Sequence, residues 1–156
     1  MRRRDRQITD IYKISQIMEK CQVTRIAFNH ENGPYILPLN FGFYEHNSKF
    51  TLYFHGAKEG RKAILISQNP CVGFEMDTNG KLEENDTACG HSYFYQSIIG
   101  TGKVSPIEDI NDKKHALKLI MKHATGKDNW DFPNSILSRT GVFKLEVTEL
   151  SAKEHL

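Results

Sequence analysis

The chain is predicted to fold as a mainly antiparallel, six-stranded β-barrel with flanking helices. Three observations lead there. Six stretches alternate apolar and polar residues with the period of two that a half-buried strand requires. Most are joined by short connections, including an Asn32-Gly33 hairpin signal and a turn at His46 to Ser48. Helical stretches interrupt the strands without a strict strand–helix–strand rhythm, which leaves a doubly wound parallel sheet as the weaker choice.

Taken in order, Ile11, Ile14, Ile17, Met18 and Cys21 recur at helical spacing, and Thr9 or Asp10 can cap the start, so a helix is expected over about 9–21. A strand follows over 23–29, with Ile26 and Phe28 on one face. The next, over about 34–45, has the clearest alternation: Tyr35, Leu37, Leu39, Phe41 and Phe43 on one face, Ile36, Pro38, Asn40, Gly42 and Tyr44 on the other. Pro38 implies an edge or bulge, and Gly42 would allow close approach to the backbone. This small, polar second face is either an ordinary solvent face or the bed of a flat ligand. A third strand covers 49–55. A helix over 58–67 is stopped by Asn69-Pro70. Strands at 71–77 and 93–104 flank a polar, acidic 78–88 loop, with Gly100 and Gly102 marking bulging or close packing. A helix capped by Asp109 or Asn111 ends before Gly126, a loop over 127–138 carries Trp130, and a last strand covers 142–150.

At 156 residues and 38% hydrophobic, the chain suits one globular domain, 1–156, with a real core. A net charge of +2 does not argue for a nucleic-acid binder, and Arg2, Arg3, Arg4 and Arg6 read as a solvated arm. No apolar run approaches bilayer length and no signal-peptide core follows the arginines, so a soluble, cytoplasmic protein is expected. Three cysteines without a C-x-x-C give no disulfide framework. Cys21 and Cys71 lie beside apolar runs and are expected to be buried. Cys89-Gly90-His91 offers two metal ligands but no second pair, so no metal site is expected.

The function is placed at Leu52-Tyr53-Phe54-His55-Gly56-Ala57-Lys58-Glu59-Gly60-Arg61-Lys62, where a strand feeds a glycine turn and a helix start. A helix N-terminus carries partial positive charge, so Lys58, Arg61 and Lys62 add repulsion there unless an anion offsets it. Free N–H groups and cations together make a phosphate site. The alternative is three solvated surface charges, with Glu59 offsetting part of the field.

Pro38-Leu39-Asn40-Phe41-Gly42, the 52–62 stretch and Tyr95-Gln96-Ser97-Ile98-Ile99-Gly100-Thr101-Gly102 occur in that order. Together they resemble the nitroimidazole-resistance (Nim) family of flavoproteins, within the pyridoxamine 5′-phosphate oxidase-like group and its FMN-binding split β-barrel. The resemblance runs from about Arg2 to Val147. It implies a homodimer with FMN in grooves between subunits. It implies that Lys58, Arg61 and Lys62 hold the FMN phosphate beside Gly56 and Ala57, and that Pro38, Leu39, Asn40 and Phe41 lie along the isoalloxazine ring. Gln96 and Ser97 match a strand that contributes cofactor contacts. His55 matches a histidine near the flavin; otherwise it is a cross-strand hydrogen-bonding residue. Trp130 either reaches across the dimer to a flavin or simply packs. Pyridoxamine phosphate oxidases end in an arginine-rich segment, and this chain ends Ser151-Ala152-Lys153-Glu154-His155-Leu156, which argues against vitamin B6 chemistry.

The implied activity is a flavin-dependent reductase, in which a reduced nicotinamide supplies hydride for a small acceptor such as a 5-nitroimidazole. Protons would come from water or His55. No Rossmann fingerprint is present, so NADH or NADPH would bind transiently. The competing readings are a non-catalytic flavin-binding or stress-related module, an oxidase of the pyridoxamine phosphate type, and a groove for another flat anion such as haem or a deazaflavin.

Overall fold

The computed structural model describes residues 3–156; Arg2 of the basic arm lies outside them. Within the arm, Arg3 pairs with Asp5 at 2.7 Å, and Arg4–Arg6 form a single 3₁₀ turn. The elements that follow are β1 (Gln7–Ile8), α1 (Ile11–Lys20), β2 (Thr24–Phe28), β3 (Tyr35–Leu39), β4 (Gly42–His46), β5 (Lys49–Ala57), α2 (Arg61–Gln68), β6 (Cys71–Glu83), β7 (Ser92–Pro106), α3 (Ile110–Thr125), α4 (Asn134–Leu137) and β8 (Thr140–His155).

The sheet has eight strands, not six. Its order is β3-β2-β6-β7-β8-β5-β4, every pairing is antiparallel, and β1 pairs with the end of β8. One of the two extra strands is the short β1. The other arises because the expected 34–45 strand breaks at Asn40-Phe41 into β3 and β4, which become the two ends of the sheet. Two residues reach only roughly 10 Å across the gap from Leu39 to Gly42. The two sheet ends must therefore approach each other, so the sheet curls into a barrel that stays split between β3 and β4. Pro38 sits in β3, which pairs only with β2, so its missing N–H interrupts no central ladder.

The barrel interior holds the main core. Phe28, Phe54, Leu52, Phe74, Met76, Ile98 and Leu145 pack there against Ile14, Ile17 and Met18 of α1. Asp10 caps α1 by accepting from the Tyr12 N–H. A second cluster lies on the opposite side of the sheet, where Ala116, Leu117 and Ile120 of α3 and Leu137 of α4 cover Val142. Gly42 explains how α3 reaches this surface. A Cβ built at Gly42 would lie 2.5 Å from the Ile120 nitrogen and 2.5 Å from the Leu119 carbonyl carbon. The close approach expected at Gly42 is made by a helix of the same chain. His123 then ties three elements together: Nδ1 lies 2.6 Å from the Phe41 carbonyl and Nε2 3.1 Å from the Met18 carbonyl.

Several boundaries move. β6 continues to Glu83 across a bulge between Thr78 and Lys81, with Asn79 at φ 61, so much of the expected 78–88 loop is strand. β8 runs to His155, five residues beyond the expected end. The 127–138 loop contains the single-turn helix α4. Cys21 is buried and its thiol is pushed up to about 12 by desolvation, whereas Cys71 is exposed. Cys71 falls on the outward phase of a strand whose inward residues are Val72, Phe74 and Met76. Among the described residues, no helix is long and apolar enough to cross a membrane.

Candidate functional site

β5 ends at Ala57, and Lys58, Glu59 and Gly60 make the turn into α2. The helix starts at Arg61 rather than Lys58 because Gly60 is its N-cap, at φ 106 and ψ −175, a backbone conformation a side chain disfavours. The Ile64 N–H bonds the Gly60 carbonyl at 3.1 Å as the first helical bond. No side chain caps the turn, so the N–H groups that precede this bond lack helical acceptors. No acidic residue occupies the first turn. Among the described residues, none of Lys58, Arg61 and Lys62 has a carboxylate within ion-pair distance.

The cations diverge. Lys62 folds back over the barrel end, with Nζ 4.1 Å from the Phe143 ring centroid and 5.5 Å from that of Phe54. Gly56 makes room for it, since a Cβ there would lie 2.6 Å from Nζ. Burial lowers the Lys62 pKa below its ordinary value, and His55 is lowered by burial first and by the Lys62 charge second. His55 is paired with Val142 across β5 and β8 and shares its face, but is itself exposed. Arg61 turns the other way. Its guanidinium lies 4.3 Å from the Tyr35 ring centroid, and Nη2 is 3.4 Å from His30 Nε2. Lys58 and Ala57 are exposed on the turn.

The remaining residues expected at the site are distributed over the molecule. Pro38 and Asn40 are exposed and Leu39 is half-buried beside the split; Asn40 donates from Nδ2 to the Gln22 carbonyl at 3.0 Å. The Phe41 ring is in the main core and its carbonyl faces His123. Gln96 is buried: Asn79 donates to its Oε1 at 2.6 Å, and its own amide donates to Glu154 Oε2 at 3.1 Å. Glu154 also pairs with Lys13. Burial pushes the Glu154 carboxyl up, but the hydrogen bonds from Lys13 and Gln96 and the Lys13 charge leave it below its ordinary value. Ser97 lies on the opposite face of β7, in a row with Tyr93, Tyr95 and Ile99. Trp130 is partly exposed and donates from Nε1 to Thr125 Oγ1 at 3.3 Å.

Two clusters result, at opposite ends of β8: His55 is opposite Val142, and Gln96 is opposite Glu154. Sequence reasoning named Gly56 but missed the rings the cations lie against, Phe143 for Lys62 and Tyr35 for Arg61. No local signal marks a ring three strands earlier in the chain as the neighbour of an arginine.

An open antiparallel barrel with flanking helices and a cationic, uncapped helix start next to a barrel-end histidine defines the class. Residues 12–154 match the model of the pyridoxamine 5′-phosphate oxidase family, and the chain belongs to that family. It is similar to the crystal structure of a candidate 5-nitroimidazole antibiotic resistance protein from Bacteroides thetaiotaomicron VPI-5482, with 32% identity and a TM-score of 0.81 over 95% of this chain and 86% of that one. The flavocytochrome Anf3 from Azotobacter vinelandii has the same fold, at 16% identity and a TM-score of 0.81 over 100% of this chain and 72% of that one. So does an FAD and heme binding protein from Mycobacterium smegmatis, at 14% identity and a TM-score of 0.81 over 96% and 73%. A search of curated proteins finds no match.

Proposed function

We propose that this protein binds FMN and acts as a flavin-dependent reductase of small acceptors such as 5-nitroimidazoles. The observation that carries the reading is the start of α2: N–H groups without helical acceptors, no capping side chain and three cations with no carboxylate partner among the described residues. Such a terminus is electrostatically unfavourable alone and favourable beside a phosphate. The family membership and the nitroimidazole-resistance neighbour support the same reading.

In this proposal Lys58, Arg61, Lys62 and the first α2 N–H groups hold the phosphate, and Gly56 and Ala57 leave space for it. Pro38, Leu39 and Asn40 line the ring with exposed backbone at the barrel split, and Phe41 anchors that segment in the core. When bound, FMN would supply the redox chemistry, hydride transfer between NADH or NADPH and the acceptor. His55, exposed at the barrel end with its pKa lowered by partial desolvation and by Lys62, offers one N–H donor and one acceptor nitrogen when neutral and can relay a proton to or from water.

Ser97 and Trp130 are proposed to reach the flavin of a second subunit in a homodimer. The exposed apolar row that surrounds Ser97, with Tyr93 and Ile99 each about half exposed (55% and 52%), supports a partner on that face. Gln96, with its amide engaged inside the subunit, is proposed to position β7 behind Ser97. A cytoplasmic location fits this chemistry.

The first test is the visible spectrum of purified protein before and after FMN is added. A flavin band that stays with the protein through gel filtration is expected. Protein that remains colourless with added FMN would sink the proposal. The second reading is a flavin-binding module without turnover. Steady NADH or NADPH oxidation in the presence of a nitroimidazole decides for the reductase.

A further inference from the structure

Arg61 turns away from Lys62 and into a groove between α2 and the β2–β3 turn. The groove is about 650 Å³ in volume, within the range of small-molecule sites. Arg61, His30, Glu31, Ile64, Gln68 and Asn69 line it. Its chemistry is graded along the helix. At one end, the Asn32 N–H donates to His30 Nδ1 at 3.2 Å, so the neutral ring carries its proton on Nε2. His30 Nε2 and Arg61 Nη2 are then two donors 3.4 Å apart, and no side chain among the described residues supplies an acceptor to both. The Tyr35 ring lies under the guanidinium, 4.3 Å from its centroid, and leaves the Arg61 N–H edge open to both the α2 start and the groove. In the middle, Ile64 is 55% exposed and offers an apolar platform. At the far end, Asn69 Oδ1 accepts from the Cys71 N–H at 3.0 Å, which leaves its amide NH2 unused, and the exposed Gln68 amide has no partner among the described residues. An unpartnered side-chain amide such as that of Gln68 pairs with both the N6 and N7 edge of adenine, and the Asn69 NH2 adds a donor. The Glu31 carboxylate is an acceptor suited to ribose hydroxyls, and it disfavours a bare anion.

We propose that this groove binds an adenosine phosphate group. The phosphate lies against Arg61 and His30, the base on Ile64, and the amides of Gln68 and Asn69 read its edge. The proposal rests on the flavin reading in one respect: through Arg61 the groove is continuous with the α2 terminus assigned to the flavin phosphate. The adenylate half then belongs either to FAD, whose flavin half occupies that site, or to a reduced nicotinamide dinucleotide visiting it.

The test uses the full-length protein freed of flavin and titrated calorimetrically with AMP, inorganic phosphate, FMN and FAD. AMP is expected to bind at least tenfold more tightly than inorganic phosphate. His30→Ala and Gln68→Ala, both surface changes, should each weaken AMP at least fivefold while FMN affinity and the circular dichroism spectrum stay unchanged. FAD binding at least tenfold tighter than FMN, with the advantage lost in both variants, assigns the adenylate to FAD. Equal FMN and FAD affinities, with AMP competing against NADPH on the FMN-loaded protein, assign it to the nicotinamide. AMP binding no tighter than phosphate, or AMP affinity indifferent to both substitutions, overturns the proposal. Because AMP binding needs no flavin, that result is distinct from a failure to bind FMN, which would count against the function proposed above.

Discussion

Lys62 Nζ lies 4.1 Å from the centroid of the Phe143 ring, and only the missing Cβ of Gly56 leaves room for it. A cation drawn over an aromatic ring and partly desolvated is held ready for an anion rather than released to solvent. Replacing Arg61 and Lys62 together by alanine is expected to weaken FMN binding at least tenfold, because a charge-assisted contact contributes roughly 1.5–3 kcal/mol. The fold should persist, since neither residue has an ion-pair partner among the described residues to leave stranded. Flavin fluorescence titration of the double variant checks this, and unchanged affinity would remove the phosphate from α2.

His55 gives a pH signature. Its folded pKa lies below the ordinary 6.5, through burial first and Lys62 second. The charged ring is thus more costly in the folded than in the unfolded chain. The cost is full below the folded pKa and is relieved as pH rises to the unfolded value. Stability of the flavin-free protein should therefore rise with pH up to about 6.5, and His55→Asn should flatten that part of the curve. Urea midpoints at a series of pH values compare the two proteins. A wild-type profile that falls with rising pH in this window would contradict the assignment.

Gly42 is where β4 and α3 touch. In Gly42→Ala the new methyl meets helix backbone at 2.5 Å, which cannot rotate away. Overpacking of this kind costs typically about 1–3 kcal/mol. A fall of several degrees in the melting temperature is expected, measured by circular dichroism. Gly56→Ala is the control, because its methyl meets the flexible end of Lys62, and it should cost little stability while lowering flavin affinity.

Gln96 links Asn79 on β6 to Glu154 on β8. Gln96→Ala leaves both partners short of a bond, at a cost of roughly 1–3 kcal/mol. Flavin affinity should fall only severalfold, because Gln96, with its carbonyl and amide engaged inside the subunit, acts on the cofactor only through β7 and Ser97. The Glu154 carboxyl has a folded pKa below its ordinary 4.5, so its contribution is present above that value and is lost as pH falls through the folded pKa. The stability difference between wild type and Gln96→Ala should accordingly shrink in acid, as denaturation at neutral and acidic pH would show.

The pattern of inward residues was legible along most of the chain because a strand's period of two is written locally. Phe50, Leu52 and Phe54, and Phe143 and Leu145, needed only alternation to be placed inside. Strand ends were less legible where pairing, not composition, extends them. The polar Thr78 to Glu83 stretch is strand because β7 supplies partners from Gln96 to Ser92. The Leu39 to Gly42 break is also nonlocal. Alternation runs unbroken through it, and only curling of the sheet makes β3 and β4 opposite edges.

By itself, then, the amino-acid order determined the type of domain, its inward faces and the cluster of cations at a helix start. Each depends on residues within a few positions of one another. Tertiary structure alone decided where those cations point. Lys62 goes to Phe143, 81 positions away in number, and Arg61 goes to Tyr35 on β3 and lies near His30 in the β2–β3 turn. Ring faces and desolvation are properties of assembled surfaces, so the direction of each charge becomes fixed only when the distant segments have packed.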